Sequence, residues 1–148
     1  QVMFASTSAK PDRDGTKDSV ANIAETGVFC VNVVEHAARD VMNLSSSAWG
    51  REVDEFDKAR IPRAACETIA CSRVAEAPAA LECKLTRIVD LPGEANKVVF
   101  GEVTGVHLRD DCLRAGRFDI TTFQPLARCG YRDYAVVREV FELKRPGE

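Results

Sequence analysis

The stretch that most restricts the fold lies in the second half of the chain, "ALECKLTRIVDLPGEANKVVFGEVTGVHL", residues 80–108. Leu81, Cys83 and Leu85 alternate with Glu82, Lys84 and Thr86. That two-residue period is the signature of a strand with one face turned inward. The phase slips at Ile88, which predicts a bulge. Residues 91–96 hold Pro92 and Gly93 and read as a turn. The run "KVVFGEVTGVHL", Lys97 to Leu108, then predicts a second long strand, with Gly101 and Gly105 marking bends or close approaches. A long hairpin with corners built into it predicts a barrel rather than a flat sandwich.

The first half alternates short helices with strands. Gln1 to Ala5 reads as a strand. Lys17 to Glu25 reads as a helix, with Val20, Ile23 and Ala24 on one face and Gly27 as its stop. Val28 to Val34 predicts a buried strand. His36 to Leu44 predicts a short helix with Ala37, Ala38, Val41 and Met42 inward and His36 exposed. Residues 43–50 form a loop, and Val53 to Arg60 reads as another short helix anchored by Val53 and Phe56. The tail "YAVVREVFELK" is compatible with helix or strand. The result is a mainly β barrel with short inserted helices, in one domain spanning residues 1–148.

Several function classes drop out. A net charge of −3 with no basic block gives no footprint for nucleic acid. No apolar run approaches the roughly 20 residues of a membrane helix, and no signal-peptide pattern opens the chain. The sequence starts at Gln1 directly in a strand pattern, which leads us to expect that an N-terminal part of the domain is absent. Six cysteines, at 30, 66, 71, 83, 112 and 129, show no zinc-ligand spacing. Cys30 and Cys83 sit in apolar strand patterns, where a free thiol behaves as a small hydrophobe. Reduced structural thiols in a cytoplasmic protein are the expectation. Asp110, Asp111 and Asp119 read as a solvated turn, and no metal site is predicted.

The place where the first strand hands over to the first helix is rich in donors. Ser6, Thr7 and Ser8 leave the strand, and Thr16, Lys17, Asp18 and Ser19 open the helix. A helix start offers unpaired N–H groups and the positive end of the dipole, so hydroxyls and a lysine there suit a phosphate. Thr16, Asp18 or Ser19 serving simply as helix caps explains many of the same residues. The Asp18 carboxylate would repel a phosphate unless turned away. Two further side chains stand out. His107 shares a strand face with Val103 and Gly105, and a satisfied strand histidine is the plain reading. Trp49, the sole tryptophan, reads as a packing residue or as cover for an apolar ligand edge.

The run "FASTSAKPDRDGTKDSVANIAETGVFCVNVV" resembles the flavin reductase-like, FMN-binding split-barrel family. The likeness continues through "VMNLSSSAWGREVDEFDKA", "VAEAPAALECKL", "VVFGEVTGVHL" and the segment from Gln124 to Tyr134, in order along essentially the whole chain. It implies a six-stranded Greek-key-like split barrel, a homodimer, and an FMN cofactor whose phosphate is carried at Ser6, Thr7, Ser8, Lys17, Asp18 and Ser19. Asp18 belongs to the same helix start but is expected to order the loop or cap the helix. The insertion at residues 11–15 leaves the roles of Lys10, Arg13 and Thr16 open. The resemblance further implies NADH or NADPH as co-substrate and His107 as a candidate near the nicotinamide or flavin. It implies a packing and dimer role for Arg128 and Tyr134, and a possible partner oxygenase. Three readings follow from it: an NAD(P)H:FMN oxidoreductase, a non-enzymatic FMN-binding electron carrier, or a flavin-free split-barrel binding domain.

Overall fold

A computed structural model describes residues 1–7, 10 and 15–148; Ser8 and Arg13 lie outside the described residues. The first half contains β1 (Val2–Ser6), α1 (Asp18–Thr26), β2 (Val28–Asn32), α2 (Arg39–Ser45), α3 (Glu55–Lys58), β3 (Arg63–Ala65) and β4 (Ser72–Val74). The second contains β5 (Ala79–Asp90), β6 (Lys97–Leu108), β7 (Leu113–Arg114), β8 (Arg117–Phe118), β9 (Leu126–Gly130) and β10 (Asp133–Val136). The main sheet has the order β1-β6-β5-β2 and is antiparallel throughout. It curls as a half-barrel, and three two-stranded sheets, β3-β4, β7-β8 and β9-β10, complete the mainly β fold.

The long hairpin of the sequence is β5-β6, and β6 has the predicted limits. Its curl comes from two irregularities. Leu85 pairs with Gly101 and Arg87 with Phe100, so Thr86 is the extra residue, two positions before the predicted slip. A second break pairs Glu82 with Gly105 and Cys83 with Val103, leaving Thr104 unopposed. Each extra residue bends the strand and increases its twist. Gly101 is needed for a different reason. A Cβ there would sit 2.5 Å from Phe29 Cζ, so the ring can lie across the strand only where there is no side chain.

α1 packs against this sheet. Val20 and Ile23, one turn apart, join Phe29, Cys83 and Val99 in the core, with Phe4, Val31, Leu81 and Leu85 packed around them. Phe4 and Phe29 meet edge to face at 5.7 Å, the arrangement favoured by the ring quadrupole. The helix ends at Gly27, at φ 74° and with its N–H donating 2.8 Å to the Ile23 carbonyl. At its start, Lys17 occupies the cap position, and its side chain makes no capping hydrogen bond. The expected caps Thr16, Asp18 and Ser19 do not play that part.

Other expectations are revised as well. The segment after β2 opens with a 3-10 turn, His36–Ala38, before α2, so Ala37 faces solvent and His36 is half-buried. The third helix is a single turn, with Asp54 accepting from the Phe56 amide at 2.9 Å. The tail resolves into β10 followed by irregular chain. Arg128 stacks 4.8 Å over Tyr134 and donates to its hydroxyl at 2.8 Å, which ties β9 to β10.

The largest revision is Glu82. Alternation places it on the solvent face, yet it is fully buried, next to the equally buried Cys83. At this point β5 is covered on both sides, by the core on one and by the loop between β3 and β4 on the other.

Candidate functional site

β1 alternates, so Phe4 and Ser6 point inward while Met3, Ala5 and Thr7 point out. Ser6 is 9% exposed and Thr7 is open to solvent, so the two hydroxyls expected to act together face opposite sides. Across the gap stands the start of α1. Its first amides, those of Asp18, Ser19 and Val20, precede the first intrahelical bond, which Ala21 N–H makes to the Lys17 carbonyl at 3.0 Å. Lys17 itself is exposed, and Ser19 lies one turn before Asn22 on the same helix face.

That face borders a groove of about 470 Å³. Ser19, Asn22 and Thr26 supply its polar side. Phe4, Phe29 and Phe56 supply flat apolar walls. Ala70, Cys71 and Ser72 close it from the β3-β4 loop. The sequence singled out Ser19 here but missed Asn22 and Thr26. Their signal was the i, i+3, i+7 spacing from Ser19.

Asp18 turns toward the loop. Its carboxylate pairs with the Lys10 ammonium, and Lys10 also donates 2.7 Å to the Trp49 carbonyl. This clasp ties the start of α1 to the loop after α2, which begins only at Ser46 because α2 runs through Ser45 into the expected 43–50 loop. Lys10, whose part the sequence left open, is the residue that joins the two. The Trp49 indole N–H is buried without a hydrogen-bond partner among the described residues, and Lys58 lies 5.2 Å over its ring. On the other side of α1, Thr16, Arg51 and Lys97 edge a second groove floored by Val20, Ala21, Ala24 and Ile88.

His107 stands apart from these residues. Its Nε2 bonds the buried Glu82 carboxylate, and its ring also lines a groove with Arg73 and Arg109. Among the described residues, no hydrogen bond or groove joins His107 to Ser6, Lys17 or Ser19. Glu82 accepts three further bonds, from the Glu67 amide at 2.8 Å, the Thr68 amide at 2.6 Å and the Thr68 hydroxyl at 2.6 Å. Burial works to raise this carboxyl, but the donors, His107 first and then Thr68 and the Glu67 amide, outweigh it and hold it well below the usual carboxylate range. A depressed folded pKa stabilises the fold fully above the ordinary value of 4.5 and loses that contribution as pH falls below it. Acid unfolding of the wild type is therefore expected to steepen below that value, and Glu82→Gln to show a flatter profile there. Unfolding midpoints measured across that range check this, and identical slopes would refute it.

The thiols are spread as follows. All six cysteines are unpaired; Cys83 and Cys112 are fully buried and Cys129 is exposed. Burial first, and then the neighbouring Cys66, push the Cys30 thiol up to about 12. Burial raises Cys66 and Cys71 as well. Among the described residues, no group of three His, Cys, Asp or Glu is placed to hold a metal ion, and no helix is long and apolar enough to cross a membrane.

Comparison with known proteins places this geometry. The chain matches the flavin reductase like domain over residues 4–127, and it belongs to that family. An uncharacterised protein of Deinococcus radiodurans is 36% identical over 137 residues, covering 89% of this chain. The chain spans only 60% of that relative's length. Among solved structures, nitrilotriacetate monooxygenase component B from Bacillus cereus superposes with a TM-score of 0.84 at 24% identity, over 95% of this chain and 71% of that one. The 2-nitrobenzoate 2-nitroreductase of Pseudomonas fluorescens gives 0.77 at 29% identity, over 88% and 65%. The fold is thus that of the split-barrel flavin reductases.

Proposed function

We propose that this chain binds FMN and works as an NAD(P)H:flavin oxidoreductase. The observation that carries this reading is the groove that Ser19 and Asn22 border at the first turn of α1, walled by Phe4, Phe29 and Phe56, in a chain of the flavin reductase-like family. The residues present fit a flavin mononucleotide. The positive end of the α1 dipole, the Lys17 charge and the Ser6 and Ser19 hydroxyls suit its single phosphate. The three phenylalanines suit a flat ring.

A bound flavin supplies the hydride-accepting chemistry. The chain's part is to bind and orient. Lys17 and Ser19 hold the anionic end, with Ser6 at the strand side. Asp18 keeps Lys10 and the Trp49 loop in place. Phe4, Phe29 and Phe56 exclude water from the groove. This division of labour explains why no triad or paired carboxylates are needed. His107, engaged by Glu82, acts here through structure rather than as a nicotinamide contact.

The likeness to a monooxygenase component supports a partner oxygenase that takes the reduced flavin. Self-association as a homodimer is supported by Tyr131, Phe141 and Leu143, apolar side chains that are 96%, 81% and 82% exposed. Six unpaired thiols suit a reducing cytoplasm.

The test is a visible spectrum of the FMN-loaded chain before and after anaerobic addition of NADH or NADPH. The reductase reading predicts that the flavin band bleaches on addition of either nucleotide. A band that persists with both makes the chain an FMN-binding carrier instead. A chain that takes up no FMN contradicts both readings.

A further inference from the structure

Glu82 is an unusual investment for a strand that only has to pack. Its four acceptor bonds go to two places, His107 on β6 and the loop joining β3 to β4. The Thr68 hydroxyl gives its proton to Glu82, so the Thr104 hydroxyl, 2.6 Å away, donates to Thr68. Thr104 is the residue that the bulge leaves unopposed, so the irregularity of β6 delivers a donor to the loop. Gly105 makes room, since a Cβ there would lie 3.1 Å from the Glu82 carboxyl carbon.

The loop has little else to hold its tip. β3 and β4 are three residues each, too short to be stable alone. Cys66 N–H bonds the Cys71 carbonyl at 3.1 Å and Cys71 N–H bonds that of Ile69 at 3.0 Å, which closes the turn but leaves the Glu67 and Thr68 amides pointing at Glu82. At the base, Val74 N–H bonds Asn32 Oδ1 at 3.0 Å. Beyond Ile69, which is buried, the tip is fixed by Glu82. This same loop runs into Ala70, Cys71 and Ser72, the wall of the groove opposite Ser19 and Asn22.

We propose that Glu82 and His107 are positioning residues that latch the β3-β4 hairpin as the movable wall of the flavin groove, so that release of this latch governs ligand entry and exit. The inference rests on the flavin reading of that groove. Ligand traffic through this wall needs only the hairpin tip to lift while its base at Asn32 stays bonded. Cys66 and Cys71 would move with the tip and Cys30 beneath would be uncovered, so the three thiols report on the latch without any flavin present.

The experiment uses the full chain. Alkylation rates of Cys30, Cys66 and Cys71 are followed by peptide mass mapping in the wild type, Thr68→Val, His107→Ala and His107→Gln, with the exposed Cys129 as internal standard. Thr68 is on the surface, so Thr68→Val keeps the test open should the histidine variants fold poorly. In Thr68→Val and His107→Ala the three thiols are expected to react about tenfold faster, the factor that one net hydrogen bond supports. The unfolding midpoint should fall little in Thr68→Val and further in His107→Ala, which takes a donor from the buried Glu82 carboxylate, and His107→Gln, which keeps a donor, should recover part of the protection. FMN should slow the same thiols in the wild type, and FMN should dissociate faster from the latch variants. Unchanged thiol rates in Thr68→Val overturn the latch. Faster thiols with unaltered FMN dissociation overturn its role at the groove. A wild type that binds no FMN overturns the flavin reading and with it this inference, while the thiol rates still report whether the latch exists.

Discussion

Phe29→Ala is expected to remove about 3–5 kcal/mol of stability, the usual cost of deleting a core phenylalanine. The ring is 7% exposed and sits at the centre of the core formed by Val20, Ile23, Cys83 and Val99. It fills the space left open by Gly101 on β6, it supports Phe4 edge-on, and it forms part of the groove floor. Little can relax into the gap. Gly101 has no side chain to move, and Phe4 is fixed on β1, which pairs with β6 from Val2 to Ser6. A domain of this size has roughly 5–15 kcal/mol in total, so the variant should unfold about 2 M earlier in urea. A loss below about 1 kcal/mol, the scale of an ordinary surface change, would contradict the packing described here.

Lys17→Ala should separate binding from stability. Its ammonium stands at the positive end of α1, where a cation is mildly unfavourable to the helix itself. Removing it should leave the flavin-free protein as stable as before or slightly more so. FMN affinity should fall by about 1–3 kcal/mol, the scale of a charge-assisted hydrogen bond to phosphate. Isothermal titration and thermal unfolding of the same sample read both quantities. Opposite signs identify a binding residue. Parallel losses would mean that Lys17 only shapes the loop, and unchanged affinity would remove it from the site.

The parts of this molecule that sequence reveals are those with enough residues to show a period. β5 and β6 are twelve residues each and are bounded by a Pro-Gly turn, so the hairpin was legible, and β6 matched its predicted limits. α1 was legible from the i, i+3 spacing of Val20 and Ile23 and from Gly27. β3 and β4 were missed because three residues carry no period. That omission hid Glu82, since alternation assumes one wet face and cannot show that a short hairpin covers it. The donor-rich helix start was legible, but the direction each of its side chains takes was not. β1's pleat sends Ser6 inward and Thr7 outward, and the Lys10–Asp18 clasp joins residues eight apart across a loop.

The central claim is that the start of α1 holds the phosphate of a flavin mononucleotide. The most direct measurement is a pair of fluorescence titrations of the full chain, one with FMN and one with riboflavin, which has the same ring and lacks the phosphate. The account predicts that FMN binds at one per chain and that riboflavin binds at least about tenfold more weakly, the factor expected from losing roughly 1.4 kcal/mol of phosphate contact. Equal affinities for the two, or no uptake of either, would contradict it.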